Sequence, residues 1–361
     1  MNEKTAVRIA RRSKMSFDFK RKLPVPKEVK EQFPVPPRAA KIKEEKDKEL
    51  REIFMGQSDR LAIVIGPCSA DNEEAVCEYI GRLSRVQDKV GDRLMLVPRI
   101  YTNKPRTTGE GYKGMLHQPD PEQKPDLLAG LVAIRKMHLR SIEETGLTPA
   151  DEMLYPENYR YFMDILSYVA IGARSVEDQQ HRLSVSGMDV PAGMKNPTSG
   201  DLSVMLNSVM AAQNPHMFIS RGWEVETTGN ELAHTILRGA TNKHGNSIPN
   251  YHYEDLNLLR KMYDERNLKY PATIIDANHA NSDKNYKEQI RIVKEVMLNR
   301  QESSSIKELV KGFMIESYLE AGSQSLGGGT LEYGKSITDP CLGWEESEEL
   351  LYTIYDMCKK V

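Results

Sequence analysis

The chain has 361 residues, of which 39% are hydrophobic, and its 50 Lys and Arg residues nearly balance its 52 Asp and Glu residues, giving a net charge of −2. This length suffices for one large hydrophobic core or two modest ones, and the charge balance excludes the basic surface of a nucleic-acid-binding protein. Four cysteines are too few for a disulfide scaffold, and no apolar run reaches the roughly 18–20 residues that span a bilayer. We therefore expect a cytoplasmic protein with small-molecule partners and neither nucleic-acid nor membrane partners.

Residues 1–60 are charged and punctuated by prolines, with one helical pattern at 42–54. The first 14 residues carry five Lys or Arg residues and one Glu, but no apolar segment follows them, as it would in a secretory signal. We interpret residues 1–60 as an N-terminal arm that contains one helix and serves assembly or regulation. An amphipathic organellar presequence is the alternative for its first residues.

Short apolar runs alternate with longer amphipathic stretches over residues 61–361, which is the pattern of repeated βα units and a parallel sheet. Nine runs resemble strands: 62–66, 94–99, 148–153, 169–173, 190–195, 216–220, 234–238, 273–277 and 312–316. A (β/α)8 TIM barrel needs only eight. We assign 216–220 to the sixth strand of the barrel and 234–238 to an extra strand excursion after it. A doubly wound open sheet is the alternative, because alternation along the sequence does not show closure.

Reactive side chains fall at or just after the ends of six predicted strands. They are Cys68, Arg99, Arg174, Lys195, His279 and Glu316. Catalytic groups of a (β/α)8 barrel lie at the carboxyl ends of its strands and on the loops that follow. These six side chains should therefore converge on one rim of the barrel.

Cys68, His279 and Glu316, together with Asp339 beyond the last strand, supply one sulfur, one nitrogen and two oxygen donors. Such a mixed set suits one divalent ion of Mn, Fe, Co or Zn. Each residue alone has an ordinary structural explanation, such as a buried small cysteine or a hydrogen-bonded histidine. The inference of a metal site therefore depends on all four residues meeting at the rim.

A second group of candidate site residues is cationic. It comprises Arg99, Lys104, Arg106, Arg174, Lys195 and Arg238. Cations at strand ends are costly to bury without anions, so they imply carboxylate or phosphate groups on a ligand. Surface salt bridges are the alternative, but three of these residues (Arg99, Lys195 and Arg238) end apolar runs and should point into the rim.

Eight short motifs carry a resemblance to a known family. They are Ile-Gly-Pro-Cys-Ser at 65–69, Lys-Pro-Arg-Thr-Thr at 104–108, Gly-Ala-Arg at 172–174, Lys-Asn at 195–196, Leu-Arg-Gly at 237–239, Asn-His-Ala-Asn-Ser at 278–282, Glu-Ser at 316–317 and Gly-Lys-Ser-Ile-Thr-Asp at 334–339. With these motifs, the chain resembles the class I, alpha-type 3-deoxy-D-arabino-heptulosonate 7-phosphate (DAHP) synthase family. The resemblance covers the whole predicted barrel.

This resemblance implies a transferase that condenses phosphoenolpyruvate with D-erythrose 4-phosphate and water to give DAHP and phosphate, the first step of the shikimate pathway of aromatic amino acid biosynthesis. It implies a homodimer or homotetramer whose metal ligands are Cys68, His279, Glu316 and Asp339. Phosphoenolpyruvate would be held by Arg99, Lys104, Arg174, Lys195 and Arg238, with backbone amides near Ala173 assisting. Arg106 and Thr107 would hold the phosphate of erythrose 4-phosphate, and Lys104 is the candidate proton donor.

Two segments are shorter here than in the feedback-regulated enterobacterial members of that family, at 152–159 and 220–230. Pro197 also follows Lys195 and Asn196, where those members usually have Gly. Both short segments touch the region where those members bind an inhibitory aromatic amino acid. We therefore expect that this regulation is not inherited.

Three alternative functions remain. One is the sister synthase that makes 3-deoxy-D-manno-octulosonate 8-phosphate. That family has a pattern similar to Lys-Ala-Asn-Arg-Ser where this chain has Lys-Pro-Arg-Thr-Thr at 104–108, which argues against this alternative. A catalytically silent regulatory barrel, or an anion-binding module without a metal, should have lost a ligand or phosphate-binding residue, and none is lost here.

Overall fold

A barrel of eight parallel strands forms the centre of the protein, whose computed structural model describes residues 17–106, 109–327 and 329–359. The strands are β1 (Leu61–Gly66), β2 (Leu94–Pro98), β3 (Ala150–Glu152), β4 (Tyr168–Ile171), β5 (Ala192–Lys195), β6 (Met217–Ser220), β7 (Trp223–Glu226), β8 (Ala233–Leu237), β9 (Ala240–Thr241), β10 (Ser247–Ile248), β11 (Thr273–Asp276), β12 (Val310–Glu316), β13 (Glu320–Ser323) and β14 (Lys335–Ser336). The order in the sheet is β2-β1-β12-β11-β8-β5-β4-β3. A parallel bridge between Arg99 and Ala150 joins the two ends of this sheet, so the predicted (β/α)8 fold is confirmed.

Helices follow most of the barrel strands and cover the outside of the sheet. They are α1 (Pro26–Gln32), α2 (Pro37–Phe54), α3 (Glu73–Val90), α4 (Leu127–Thr145), α5 (Pro156–Tyr159), α6 (Gln179–Ser186), α7 (Leu202–Gln213), α8 (Tyr253–Glu265), α9 (Glu288–Glu302), α10 (Ser304–Leu309) and α11 (Trp344–Cys358). Side-chain caps fix where several of them begin: Asn72, Asp126 and Asp201 each accept a hydrogen bond from a first-turn amide. No helix within the described ranges is long and apolar enough to cross a membrane.

The strands are buried on both faces because alternate residues serve two different cores. Along β1, Ile63 and Ile65 belong to the cluster that packs against the surrounding helices. Ala62 and Val64 belong to a second cluster inside the barrel, which also contains Phe54 at the end of α2. This arrangement explains why these strands read as continuous apolar runs in the sequence.

The assignment of the sixth barrel strand from the sequence is wrong. The run at 234–238 supplies that strand as β8, which pairs in parallel with β5 and β11. The run at 216–220 instead forms β6 of an antiparallel hairpin with β7, which precedes the sixth barrel strand. Ile219 of this hairpin is 82% exposed, whereas β8 is buried throughout. A second, smaller hairpin of β9 and β10 follows the sixth strand.

The described part of the N-terminal segment packs against the barrel. The Phe54 ring lies 4.2 Å from the His234 ring and 6.0 Å from the Tyr168 ring, measured between centroids. The buried guanidinium of Arg135 on α4 donates to the Phe33 carbonyl at 2.6 Å. Helix α2 therefore ends against residues at the amino-terminal end of the barrel.

Candidate active site

The carboxyl ends of the barrel strands bring the predicted site residues to one rim. Cys68 follows β1, Arg99 follows β2, Arg174 lies beyond β4, Lys195 ends β5, Arg238 follows β8, His279 lies beyond β11 and Glu316 ends β12. A Cβ atom on Gly66 would lie 2.3 Å from the carbonyl oxygen of Arg99, so only glycine allows β1 and β2 to approach this closely. Parallel pairing in one barrel therefore produces the convergence expected from the sequence.

A thiol and two carboxylates form a compact cluster at this rim. The ligand atoms of Cys68, Glu316 and Asp339 all lie within 4.8 Å of one another. The Lys104 ammonium donates to Cys68 Sγ at 2.7 Å and to Asp339 Oδ2 at 2.8 Å. Burial raises the pKa of the Cys68 thiol. Burial also acts to raise the pKa of Asp339, but the charge of Lys104 outweighs it and holds that pKa well below its usual range.

His279 lies beside this cluster, with Nε2 4.0 Å from Glu316 Oε1. Its other ring nitrogen, Nδ1, is 2.8 Å from Oδ2 of the buried Asp276. Burial acts to raise the pKa of Asp276, but the positive charges of His279 and Lys195 outweigh it and keep that pKa low. A carboxylate behind a histidine is the arrangement that orients metal-binding imidazoles in proteins. The sequence analysis missed Asp276, although its position three residues before His279, at the end of an apolar strand, was an available signal.

Three neighbours hold Glu316 in place. Arg99 Nη2 donates to Glu316 Oε1 at 2.9 Å, and Asn278 Nδ2 donates to Oε2 at 2.6 Å. The Glu316 amide donates to Gln289 Oε1 at 2.8 Å. Arg99 is buried, and its guanidinium lies over the Tyr101 ring at 3.7 Å. Arg99 is thus paired with a carboxylate of the cluster, in addition to its place in the cationic group.

A small cavity adjoins the cluster and contains much of the cationic group. Its lining is Pro105, Glu152, Leu154, Gly172, Ala173, Arg174, Ser175, Lys195, Arg238 and His279. Lys195 is buried, with Nζ 3.6 Å from both Glu152 Oε2 and Asp276 Oδ2. Arg238 Nη1 is buried without a hydrogen-bond partner among the described residues. The cavity thus has a cationic wall in which Lys195 is buried, and Arg238 Nη1 has no acceptor among the described residues.

The two residues expected to bind the second phosphate lie in the loop after β2. Arg106 Nε donates to the Tyr112 carbonyl at 2.8 Å, and Arg106 does not line the cavity around Lys195. Pro105 does line it, so this loop runs from the cluster past the cavity. Thr107 lies outside the described residues. Glu152, which the sequence analysis did not select, contacts Lys195 from the end of β3.

Comparisons with known proteins identify the family of this chain. The family model described as the DAHP synthetase I family matches residues 34–352. A phospho-2-dehydro-3-deoxyheptonate aldolase of Haemophilus influenzae is 38% identical over 332 residues, covering 90% of this chain and 89% of that protein. The Phe-sensitive phospho-2-dehydro-3-deoxyheptonate aldolase of Escherichia coli K12 is also 38% identical, covering 91% of this chain and 92% of that protein.

The fold is shared as well. The solved structure of phospho-2-dehydro-3-deoxyheptonate aldolase from Francisella tularensis superposes with a TM-score of 0.87 at 29% identity, covering 96% of this chain and 99% of that chain. The matched residues 34–352 include every candidate site residue from Cys68 to Asp339. The chain therefore belongs to the DAHP synthetase I family.

Proposed function

We propose that this protein condenses phosphoenolpyruvate with D-erythrose 4-phosphate and water to form DAHP and inorganic phosphate, the first step of the shikimate pathway. One observation supports it most strongly. The cationic wall of Lys195, Arg174 and Arg238 adjoins the cluster of Cys68 and its two carboxylates at one barrel rim. A site with both parts can hold a highly anionic substrate next to groups that act on an aldehyde.

We further propose that one divalent ion of Mn, Fe, Co or Zn is held by Cys68, His279, Glu316 and Asp339. The donor chemistry of these residues fits: three of them already place sulfur and oxygen atoms within 4.8 Å of one another, and His279 is backed by Asp276. When bound, such an ion polarises an aldehyde oxygen as a Lewis acid and orients water.

The substrate contacts follow from charge and position. Arg174, Lys195 and Arg238 offset the phosphate and carboxylate charges of phosphoenolpyruvate, since charge-assisted hydrogen bonds are about twice as strong as neutral ones. The backbone amide of Ala173 adds a neutral donor in the same cavity. Arg106 and Thr107 bind the phosphate of erythrose 4-phosphate. Holding both substrates converts a bimolecular encounter into a reaction between positioned atoms.

In the reaction, C3 of phosphoenolpyruvate attacks C1 of the aldose, and the new carbon–carbon bond forms as the aldehyde oxygen becomes an alkoxide. Lys104 holds protons at Nζ beside Cys68 and Asp339, and we propose that it protonates this oxygen. Water then adds to C2, and phosphate leaves as the C2 ketone forms. Arg174 and Lys195 offset the charge of the departing phosphate.

A steady-state assay with both substrates tests this function. We expect phosphate release that requires erythrose 4-phosphate, stops after exhaustive chelation and returns with added divalent ions. Cys68→Ala should abolish turnover and lower metal content, whereas Cys77→Ala should retain both, because the buried Cys77 lies on α3 and is not part of the cluster of Cys68, Glu316 and Asp339. Preference for the five-carbon arabinose 5-phosphate would identify the sister synthase, and full turnover after chelation would exclude the metal site.

We also propose that the chain forms a homodimer or homotetramer, with residues 1–60 acting as an assembly and regulatory arm on a barrel of residues 61–361. Large apolar side chains are exposed on the arm at Phe19 and on the β6–β7 hairpin at Ile219 and Trp223. Ile219→Asp should reduce the molar mass measured by light scattering. Leu298→Asp on α9, also exposed, is the matched control and should leave the mass unchanged.

A further inference from the structure

A cationic cleft lies at the end of the barrel opposite to the active site. It is bounded by the segment between α2 and β1, by α8, by the α9–α10 junction and by the start of β12. Its charged lining comprises the basic residues Arg60, Arg260, Arg300, Lys307 and Lys311 and the acidic residues Asp59 and Glu308. Lys311 is the second residue of β12 and Glu316 is its last. At about 3.3 Å per residue the two are about 16 Å apart, so this cleft is separate from the active site.

Two of the five basic residues have carboxylate partners. Arg60 donates to Glu49 at 2.8 Å, and Arg260 donates to Asp264 and to Glu308, both at 3.1 Å. Glu308, one of the two acidic residues of the lining, is therefore already paired with Arg260.

The other three basic residues, Arg300, Lys307 and Lys311, have no carboxylate oxygen within 4.0 Å among the residues that the structure describes. Asp59 is the remaining acidic residue of the lining, and it forms no such pair with them. An excess of positive charge therefore remains in the cleft around these three side chains.

Arg300 is the most deeply buried of the three, at 5% exposure. Its Nε has no hydrogen-bond partner within the described ranges. Its other contacts are long, 3.9 Å from Nη1 to Met297 Sδ and 3.5 Å from Nη2 to the Lys307 carbonyl. Burial lowers the pKa of Arg300, and burial together with the charge of Arg300 lowers the pKa of Lys311. A buried guanidinium with so few acceptors is energetically costly unless an anion completes its hydrogen bonds.

We propose that this cleft binds a small anion through a phosphate or carboxylate group held between Arg300 and Lys311, with Lys307 at its edge. The planar guanidinium offers parallel donors to two oxygens of such a group, and the ammonium adds a point charge. The main chain from Met55 to Leu61 forms one wall of the cleft, so the bound anion also ties the end of α2 to the barrel. This site does not depend on which reaction the opposite rim catalyses.

Thermal unfolding of the full chain tests the proposal, because a ligand that binds only the folded state raises the midpoint with its concentration. Inorganic phosphate and citrate are the two probes, each titrated at constant ionic strength against chloride. The catalytic rim also binds phosphate, so all measurements are repeated on Lys195→Ala. We expect phosphate or citrate to raise the unfolding midpoint of Lys195→Ala. Adding Arg300→Met and Lys311→Met to that variant should reduce this increase by at least half. The larger of the two responses identifies the ligand as phosphorylated or carboxylated.

Lys261→Met is the matched control, because Lys261 is an exposed cation on α8, and it should leave the response unchanged. In chloride alone, Arg300→Met/Lys311→Met should be at least as stable as the parent, since it removes a buried and a half-buried cation that have no carboxylate partner among the described residues. If that double variant does not fold, Lys311→Gln alone should still reduce the response. An equal response in the parent and in the folded cleft variants would overturn the proposal.

Discussion

The Lys104 ammonium lies 2.7 Å from the Cys68 sulfur, closer than the Asp339 carboxylate, which is 3.5 Å from that sulfur. The same nitrogen contacts Asp339, so one cation already contacts two of the groups that we propose as metal ligands. A divalent ion between these ligands would be repelled by the ammonium, because two like charges a few ångströms apart in a partly buried site interact strongly. Lys104 and the ion therefore compete for the same electron-rich atoms.

This competition predicts opposite effects of Lys104→Met on metal binding and on catalysis. Turnover should fall by about 100-fold or more because the proposed proton donor is lost. Metal affinity, measured by equilibrium dialysis without substrate, should stay the same or rise. Arg106→Met, whose guanidinium donates to the Tyr112 carbonyl instead, should leave metal affinity unchanged. A tenfold weaker affinity in Lys104→Met would show that Lys104 supports the metal site.

The two cationic regions predict a split between the substrates. Lys195→Ala and Arg174→Ala should each lower kcat/KM for phosphoenolpyruvate by about 10- to 100-fold, the usual worth of one hydrogen bond to a charged group. Their effect on erythrose 4-phosphate should be much smaller, whereas Arg106→Ala should show the reverse bias. Circular dichroism of each variant controls for folding. Equal losses for both substrates would show that the two binding regions are misassigned.

Two thiols near the proposed metal site, Cys68 and Cys341, predict sensitivity to oxidation. The sulfur of the buried Cys341 accepts a hydrogen bond from the main-chain amide of Cys68 and lies 3.6 Å from the Asp339 carbonyl. A thiolate that binds a metal is protected, whereas a free one beside a second thiol can form a disulfide. We therefore expect inactivation in air that is suppressed by metal, by phosphoenolpyruvate or by Cys341→Ala. Cys77→Ala is the control, and an unchanged inactivation rate in Cys341→Ala would rule out the pairing.

A buried carboxyl predicts how stability depends on pH. Burial raises the pKa of Asp151 to about 7, although hydrogen bonds from Thr102 and the Glu152 amide oppose this. A carboxyl whose pKa is raised by folding stabilises the folded state fully at low pH and loses that contribution as pH rises from about 4 to about 7. Neighbouring His138 is neutral over this range, because burial lowers its pKa to about 4.

Asp151→Asn should remove the loss of stability that the Asp151 carboxyl causes as the pH rises. The free energy of unfolding of the variant, relative to the wild type, should therefore rise between pH 5 and pH 8 by on the order of 2 kcal/mol. Chemical denaturation at several pH values measures it. Asp88→Asn on α3 is the control, because its carboxylate is exposed and should give no such trend. A difference that does not change with pH would mean that Asp151 is ionised in the folded protein throughout.

The rim of the barrel was predictable because parallel strands place their carboxyl ends together, so Cys68, Lys195 and Glu316 needed only correct strand ends. The sixth barrel strand was not predictable, because 216–220 and 234–238 are apolar runs of equal length and either could supply it. The turn between β6 and β7 held the missing signal. Arg221 and Gly222 both have positive φ, 56° and 76°, which is the two-residue turn of an antiparallel hairpin.

The partners of the site residues were harder to foresee. Asp276 ends an apolar strand, and its position three residues before His279 was its only sequence signal. Glu152 ends the short strand β3 beside Asp151, and no sequence period marks it as functional. Their roles became visible only when distances showed both within 3.6 Å of Lys195. The cleft around Arg300 was unpredictable for a similar reason, since its walls come from four separate segments whose basic residues resemble ordinary surface charges.

The two short segments at 152–159 and 220–230 predict how the protein responds to aromatic amino acids. Relatives of this chain are named Phe-, Tyr- and Trp-sensitive. The resemblance places their inhibitor pocket against the loop after strand three and the excursion near strand six. Here the first segment contains the single turn of α5, and the second contains the short, mostly exposed strand β7. Burying an aromatic ring needs roughly 150–250 Å² of complementary surface, and two shortened walls remove much of it.

Allosteric coupling typically amounts to about 1–3 kcal/mol, so partial loss of contact can abolish it. We therefore predict that phenylalanine, tyrosine and tryptophan each inhibit weakly or not at all. The measurement is a titration of each amino acid at sub-saturating concentrations of both substrates, with the Phe-sensitive Escherichia coli relative assayed alongside as a positive control. Half-inhibition at micromolar concentration by any one of them would show that this chain binds its effector through other residues.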